Sequence, residues 1–143
     1  MASRPLASAL LVLRLGLGVF LLLWSIDKMV APAQTVKIFE VFYKVPLATD
    51  LAPAVGVVEA LLSLGLLAGA WRTWTYGAAL AIHAISTLST WERLISPFGG
   101  NHLFIAAIPV LAAFVALFML RRQDVLWSWD AHESAGRGGD EAQ

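Results

Sequence analysis

Four long apolar segments are the feature of this sequence that most restricts its fold. They cover roughly residues 6–26, 51–71, 74–91 and 102–120. Each is close to the ~20 residues that a helix needs to cross the hydrocarbon core of a bilayer. Because lipid offers no partner to backbone N–H and C=O groups, such segments cross it as helices. The sequence therefore predicts an all-α integral membrane protein, built as a four-helix bundle.

Composition agrees with this class and excludes several functions. The chain has 143 residues, of which 59% are hydrophobic and 14% charged, whereas a soluble domain has about a quarter of its residues charged. The net charge is zero, so no basic excess indicates nucleic acid as a partner. The absence of cysteine excludes disulfides, thiolate metal sites and dithiol chemistry. Any redox role would need a bound cofactor or a partner subunit.

The connections between the spans define one domain. Residues 72–73 and the Pro/Gly-rich residues 96–101 are short links that make consecutive spans antiparallel neighbours. In residues 35–45, polar and aromatic side chains fall on different faces, which predicts a short amphipathic helix in the membrane interface; a plain surface loop is the alternative. Residues 1–129 are thus expected to form one transmembrane domain. Residues 130–143 are polar and Gly-rich and are predicted to be disordered.

Lysines and arginines indicate an orientation. The first span is expected to stay in the membrane and not to be cleaved as a signal peptide, because the run is too long and Arg14 interrupts it. The side of the two termini carries five cationic residues and the other side four, and the Arg121–Arg122 cluster favours N-in and C-in. These residues are Arg4, Arg72, Arg121, Arg122 and Arg137 against Lys28, Lys37, Lys44 and Arg93.

Three ionisable residues fall deep within the spans: Arg14, Glu59 and His83. Such groups are costly in a membrane and mark functional sites or buried pairs. Measured from the side where the chain begins, their depths are about 12, 18 and 14 Å at 1.5 Å per residue. Ser63 and Thr87 lie one turn after Glu59 and His83, on the same helix faces. A polar cluster inside the bundle is therefore predicted.

This cluster has a functional and a structural interpretation. As a site, Glu59 and His83 would be catalytic, and Arg14, Glu59, His83, Ser63 and Thr87 would bind a ligand. As a structural element, an Arg14–Glu59 ion pair would fix the register of two helices. No haem or metal is expected, because haem needs two ligands at matched depth and a protein-ligated metal needs more His or carboxylates at one level.

Three stretches resemble a known family. They are "LRLGLGVFLLLWSIDKM" (13–29), "VVEALLSLGLLAG" (57–69) and "GGNH" (99–102). Together with the four spans, they are similar to the DoxX/DoxD-like membrane proteins over roughly residues 8–122. Arg14, Lys28 and Glu59 stand where such proteins tend to carry Arg, Lys and Glu. The resemblance implies a small membrane subunit, since members are linked to thiosulfate:quinone oxidoreductase and to membrane oxidoreductase complexes.

Three functions follow as hypotheses. The resemblance implies a bacterial inner-membrane subunit of a redox complex, with partner subunits and a bound or exchangeable quinone; whether the chain is itself an enzyme stays open, because no self-contained catalytic motif occurs. In this hypothesis Arg14 and His83 donate to the quinone, while Glu59 or His83 handles protons. The alternatives are a non-catalytic scaffold or assembly factor and a permease for protons or small solutes. A homo-oligomer is compatible with all three.

Overall fold

Helices make up the fold of residues 3–133, the part of the chain that this computed structural model describes, and no strand occurs among them. Six α-helices have both of their ends within these residues, four of them long and two short. In chain order they are α1 (Arg4–Val30), α2 (Pro32–Ile38), α3 (Ala52–Ala68), α4 (Arg72–Ser89), α5 (Trp91–Ile95) and α6 (Ala107–Met119).

The four long helices form a ring in which α1 and α4 each pack against both α3 and α6. Consecutive long helices run antiparallel. On α1 and α3, for example, Gly18 lies against Leu67 and Gly56 lies against Ser25. The core between the helices is apolar: Leu10, Leu17, Leu21, Leu66, Tyr76, Ala79, Phe114 and Leu117. The prediction of an all-α four-helix bundle is confirmed.

Most apolar side chains of the bundle face outward. Arg4–Val30 and Gly99–Met119 are long and apolar enough to cross a bilayer, and Ala52–Ala68 is a shorter apolar helix. In the most apolar 18 residues of Arg4–Val30 only 33% are buried within the bundle, and in those of Gly99–Met119 only 11% are buried. Apolar surface of this extent would be unfavourable in water but is what lipid contact requires. The fold is that of a membrane bundle.

The helix ends differ from the predicted spans for local reasons. α1 begins at Arg4, with a proline in its first turn where the missing N–H costs nothing. The fourth span begins as a 3₁₀-helix, Gly99–Ala106, before it becomes α6. Pro109 lies in the first turn of α6 and lacks the N–H that would bond to the carbonyl four residues earlier. The 3₁₀-helix therefore precedes the α-helical part of this span.

The segment between α1 and α3 is helical, as predicted, but begins earlier. α2 is followed by a π-helical stretch, Phe39–Tyr43. Lys44 then adopts a left-handed conformation with φ 57° and ends the helix. The helical part therefore covers residues 32–43, where the sequence predicted 35–45.

The chain folds back on the bundle after α6. Residues 120–130, here called the strap, pack beside the α3–α4 turn, where Gly69 (φ 63°) ends α3. The end of the bundle that carries the strap and this turn is here called the strap edge, and the opposite end, with α2 and α5, the α2 edge. The predicted disordered tail overlaps the described residues only at 130–133, which are helical instead; residues 134–143 lie outside them.

Candidate functional site

The predicted polar cluster is divided into two ion pairs at different levels of the bundle. Arg14 Nη1 lies 3.4 Å from Asp124 Oδ2, and Lys28 Nζ lies 2.6 Å from Glu59 Oε2. Arg14 contacts Gly69, which is ten residues after Glu59 on the α3 side, or about 15 Å along a helix. The predicted Arg14–Glu59 pair and the common depth of the cluster are therefore wrong.

The Arg14–Asp124 pair is enclosed by protein. Both side chains have 0% exposure. Arg14 Nη2 donates to the backbone oxygens of Leu126 (2.8 Å) and Trp127 (3.0 Å), and the Tyr76 hydroxyl donates to Asp124 Oδ2 at 2.6 Å. These contacts direct the guanidinium at the strap. Arg14 is therefore placed to hold the strap and not to donate to a ligand.

Further bonds fix the strap to the α3–α4 turn. Ser128 Oγ donates to the Gly69 carbonyl at 2.9 Å, and Arg72 Nη1 donates to the Asp124 carbonyl at 2.6 Å. The Asp130 carboxylate accepts from the amides of Trp71 (2.7 Å) and Arg72 (2.9 Å). Desolvation works to raise the pKa of Asp130, but these amides and the Arg72 side chain together hold that pKa below its usual value.

The Lys28–Glu59 pair lies between α1 and α3 and reaches the surface. The side chains of Lys28 and Glu59 retain 15% and 10% exposure. Lys28 Nζ also donates to the Trp24 carbonyl at 3.3 Å and lies 5.9 Å from the centre of the Trp24 ring. Gly56, one turn before Glu59, has Ser25 O and Lys28 Cβ close to the place where a side chain would begin. The small residue thus lets Lys28 reach Glu59.

A groove lies beside this pair, between α1 and α2. Its volume is about 410 Å³, and it is an open depression at the surface and not an enclosed cavity. Its lining combines an aromatic ring, a carboxylate, an amide and two aliphatic side chains: Trp24, Asp27, Gln34, Leu23 and Ile38. Trp24 links the two features, because it lines the groove and Lys28 Nζ lies 5.9 Å from the centre of its ring, whereas Lys28 and Glu59 do not line the groove themselves. The groove and the ion pair therefore form one candidate site at the α2 edge.

His83 lies within an aromatic row and not beside an ion pair. Its ring centre is 5.6 Å from that of Phe20 and 5.2 Å from that of Phe114, and Phe20 is 6.5 Å from Trp24. His83 Nε2 lies 3.4 Å from the Ala107 carbonyl. The row connects the groove residue Trp24 with the centre of the bundle. A catalytic role for His83 stays a prediction.

Ser63 and Thr87 direct their hydroxyl protons into their own helices. Ser63 Oγ donates to the Glu59 carbonyl (2.7 Å) and Thr87 Oγ1 to the His83 carbonyl (2.8 Å). Thr87 also lines an outward-facing, otherwise apolar groove between α4 and α6, of about 440 Å³. Each hydroxyl keeps the capacity to accept a hydrogen bond. Ligand binding by Ser63 or Thr87 stays a prediction.

No group of three or more His, Cys, Asp or Glu residues is assembled for a metal ion within residues 3–133. The groups that could contact an organic cofactor are those of the candidate site. Lys28 and the Gln34 amide are donors, Glu59 and Asp27 are acceptors, and Trp24 supplies a flat apolar surface.

Sequence reasoning missed Asp124 and Tyr76 and did not count Lys28 among the site residues. For Lys28 a signal existed, since it shares one face of α1 with Arg14 and Ser25. For Asp124 the sequence offers none, because its partner Arg14 lies 110 residues away and the strap has no periodic pattern.

Comparison with known proteins gives a family. The DoxX family model matches residues 9–93, which include most of α1 and all of α3 and α4 and therefore Arg14, Lys28, Glu59 and His83. No match was found among curated proteins or among solved structures. Because the family model covers more than half of the sequence and the fold is the predicted membrane bundle, the chain belongs to the DoxX family.

Proposed function

We propose that this protein is a membrane subunit of a redox complex and that it binds a quinone at the α2 edge. The observation that carries the proposal is the groove beside the partly exposed Lys28–Glu59 pair. A quinone is a flat apolar ring with two carbonyl acceptors, so it requires an apolar surface and a few donors. The candidate site offers both.

Each residue has a defined task in this proposal. The Trp24 ring stacks on the quinone, and Lys28 or the Gln34 amide donates to a carbonyl oxygen. Reduction to a quinol takes up two electrons and two protons. The electrons come from a partner subunit of the complex, and Glu59, which is paired with Lys28, passes protons to the quinone oxygens. Arg14 has no part in binding, because the strap occupies it.

Quinone binding to the purified protein tests the proposal. We expect a water-soluble quinone analogue to bind the wild type, and Glu59→Gln and Trp24→Leu to weaken binding by roughly tenfold each, the effect of losing about 1.4 kcal/mol of contact. Arg122→Gln is the matched control, because it removes an exposed charge at the strap edge. If the wild type binds no quinone, or if all three variants bind as the wild type does, the proposal is wrong.

A scaffold role is the second candidate, and the Arg14–Asp124 pair favours it. A side chain with no exposure and with its donors directed at backbone oxygens contributes to shape and not to chemistry. A pure scaffold would assemble with its partner subunits when Glu59 is replaced by Gln, and the complex would keep full activity. Under the quinone proposal the same complex assembles but loses activity.

We propose further that the strap edge faces the cytoplasm of a bacterial inner membrane. Five of the nine Lys and Arg residues in the described part of the chain lie at this edge: Arg4, Arg14, Arg72, Arg121 and Arg122. The positive-inside rule places the more cationic edge in the cytoplasm. Labelling of single cysteines introduced at Thr73 and Ser96 with a membrane-impermeant reagent tests this, since only the second should react in intact cells.

A further inference from the structure

Residues 124–129 of the strap expose their apolar side chains and bury their polar ones. Asp124 and Ser128 have 0% exposure. Trp127 and Trp129 are 75% and 66% exposed, and Val125 and Leu126 are also exposed. This is the reverse of a loop that lies in water, whose polar groups would face the solvent. The outer side of the strap is therefore suited to the membrane interface.

The α3–α4 turn extends this apolar surface. Trp71 and Trp74 are 72% and 80% exposed, and Asp130 of the strap accepts a hydrogen bond from the Trp71 amide. Four indole rings are thus held at one edge of the bundle. Indole rings favour the headgroup layer, where the ring is partly apolar and its N–H can reach polar groups. Four exposed rings at one edge are suited to anchoring that edge at the membrane interface.

The same edge carries arginines without carboxylate partners. Arg121 and Arg122 form no ion pair within residues 3–133. Two of the neighbouring carboxylates, Asp124 and Asp130, are already neutralised by Arg14 and Arg72. Arg121 lies over the Phe118 ring, with its guanidinium carbon 4.3 Å from the ring centre. Arg121 also donates from Nη1 to the Phe118 carbonyl (2.8 Å) and from Nε to Thr73 Oγ1 (3.3 Å). Its positive charge, which no carboxylate of the described residues pairs, therefore lies among apolar and aromatic groups.

The charge differs between the two edges. In the described part of the chain, the strap edge has five arginines and three carboxylates, whereas the α2 edge has four cationic and five acidic residues. The acidic residues of the α2 edge are Asp27, Glu40, Asp50, Glu59 and Glu92. An anionic surface is attracted to the first edge and not to the second.

We propose that the strap edge binds the headgroups of anionic phospholipids. Arg121 and Arg122 hold the lipid phosphate, and the indole rings of Trp127 and Trp129 lie between the acyl chains and the headgroups. The buried Arg14–Asp124 pair fixes the strap in advance, so binding orders little additional chain. The proposal is independent of quinone binding, since it concerns the opposite edge.

Quenching by brominated lipids tests the proposal on the full chain. Trp24→Phe and Trp91→Phe remove the indole rings of the α2 edge and leave the four of the strap edge. This protein is reconstituted in vesicles of equal phosphatidylglycerol and phosphatidylcholine, with one or the other lipid brominated. We expect brominated phosphatidylglycerol to quench the indole fluorescence at least twice as strongly, because two cations at a membrane surface each attract anionic lipid.

Two charge variants separate the strap edge from general charge effects. Arg121→Gln with Arg122→Gln should bring the two quenching values to equality. Lys37→Gln with Arg93→Gln removes two exposed charges at the α2 edge and should leave the preference unchanged. Equal quenching by both lipids with the original arginines, or a preference that survives the loss of Arg121 and Arg122, would overturn the proposal. An equal loss of the lipid preference in both double variants would overturn it as well.

Discussion

The two ion pairs of this bundle have opposite relations to their surroundings. Arg14 and Asp124 are fully enclosed and join α1 to the strap, whereas Lys28 and Glu59 keep part of their surface and lie beside a groove. Burial removes the water that would otherwise solvate a charge, so the enclosed pair depends entirely on its protein partners. The difference indicates that the first pair maintains the structure and that the second is available to a ligand.

The enclosed pair should give the largest loss of stability. We expect Arg14→Leu to destabilise the protein by about 3–5 kcal/mol, because Asp124 would remain buried without its partner. Unfolding of the purified protein in mild detergent, followed by circular dichroism, measures this.

The double variant Arg14→Leu with Asp124→Leu is the control for that loss. Arg14 Nε and Asp124 Oδ1 have no hydrogen bond in the described structure, so the pair is incompletely compensated. Removing both charges should therefore recover about 1–2 kcal/mol. If Arg14→Leu alone is as stable as the wild type, the enclosed pair does not maintain the structure and the contrast between the two pairs is wrong.

Disruption of the close packing beside Lys28 and Glu59 should give the next largest loss of stability. A Cβ at residue 56 would lie 2.7 Å from the Ser25 carbonyl oxygen, which belongs to the backbone and cannot turn away. We expect Gly56→Ala to separate α1 from α3 and to cost about 1–3 kcal/mol. The free energy of unfolding in detergent is the measurement.

Gly16→Ala is the matched control on α1, because nothing lies within 4 Å of a Cβ there. It should stabilise the helix by about 0.5–1 kcal/mol. If both substitutions have the same effect, helix propensity and not contact between α1 and α3 governs this region.

Loss of the partly exposed pair should cost less than loss of the enclosed pair. For Glu59→Gln we expect a loss of about 1 kcal/mol, between the values for surface and buried pairs, since Lys28 keeps 15% exposure and would not be fully buried without a partner. Parallel thermal unfolding of this variant and of Arg14→Leu tests the order. A loss equal to that of Arg14→Leu would show that both pairs are structural and would weaken the quinone proposal.

Protonation of Asp130 in acid should give the smallest loss of stability. Because the pKa of Asp130 is held below its usual value of 3.8, its carboxylate contributes stability above that pH. The contribution is lost as the pH falls through the lower pKa of the folded protein. We expect Asp130→Asn to lower the melting temperature slightly at pH 7 and to have no effect at a pH below both values. A difference that persists in acid would mean that charge is not the cause.

Much of the fold was predictable because membrane spans are a property of single segments. Hydropathy located all four long helices, and helical spacing placed Arg14, Glu59, Ser63, His83 and Thr87 on inward faces, where all five are buried. Helix ends were less predictable. The fourth span begins at Gly99 as a 3₁₀-helix, before the predicted residue 102, and hydropathy does not distinguish a 3₁₀-helix from an α-helix.

The partners of the buried charges were not predictable. Similar depths from the helix ends suggested that Arg14 and Glu59 meet, but depth from assumed boundaries ignores how far each helix extends beyond its neighbours. The strap could not be predicted from the sequence either, since Asp124 and Ser128 resemble ordinary loop residues until their burial is known.

The sequence by itself determined that this is a helical membrane protein of the DoxX family, with charged residues turned inward. Both properties depend on segments about 20 residues long and on helical periodicity, which are local. Only the tertiary structure decided that Arg14 pairs with Asp124 and Glu59 with Lys28. Those pairs depend on how far the helices are shifted along the bundle axis and on the return of the chain after α6. Both are set by packing between segments far apart in the sequence.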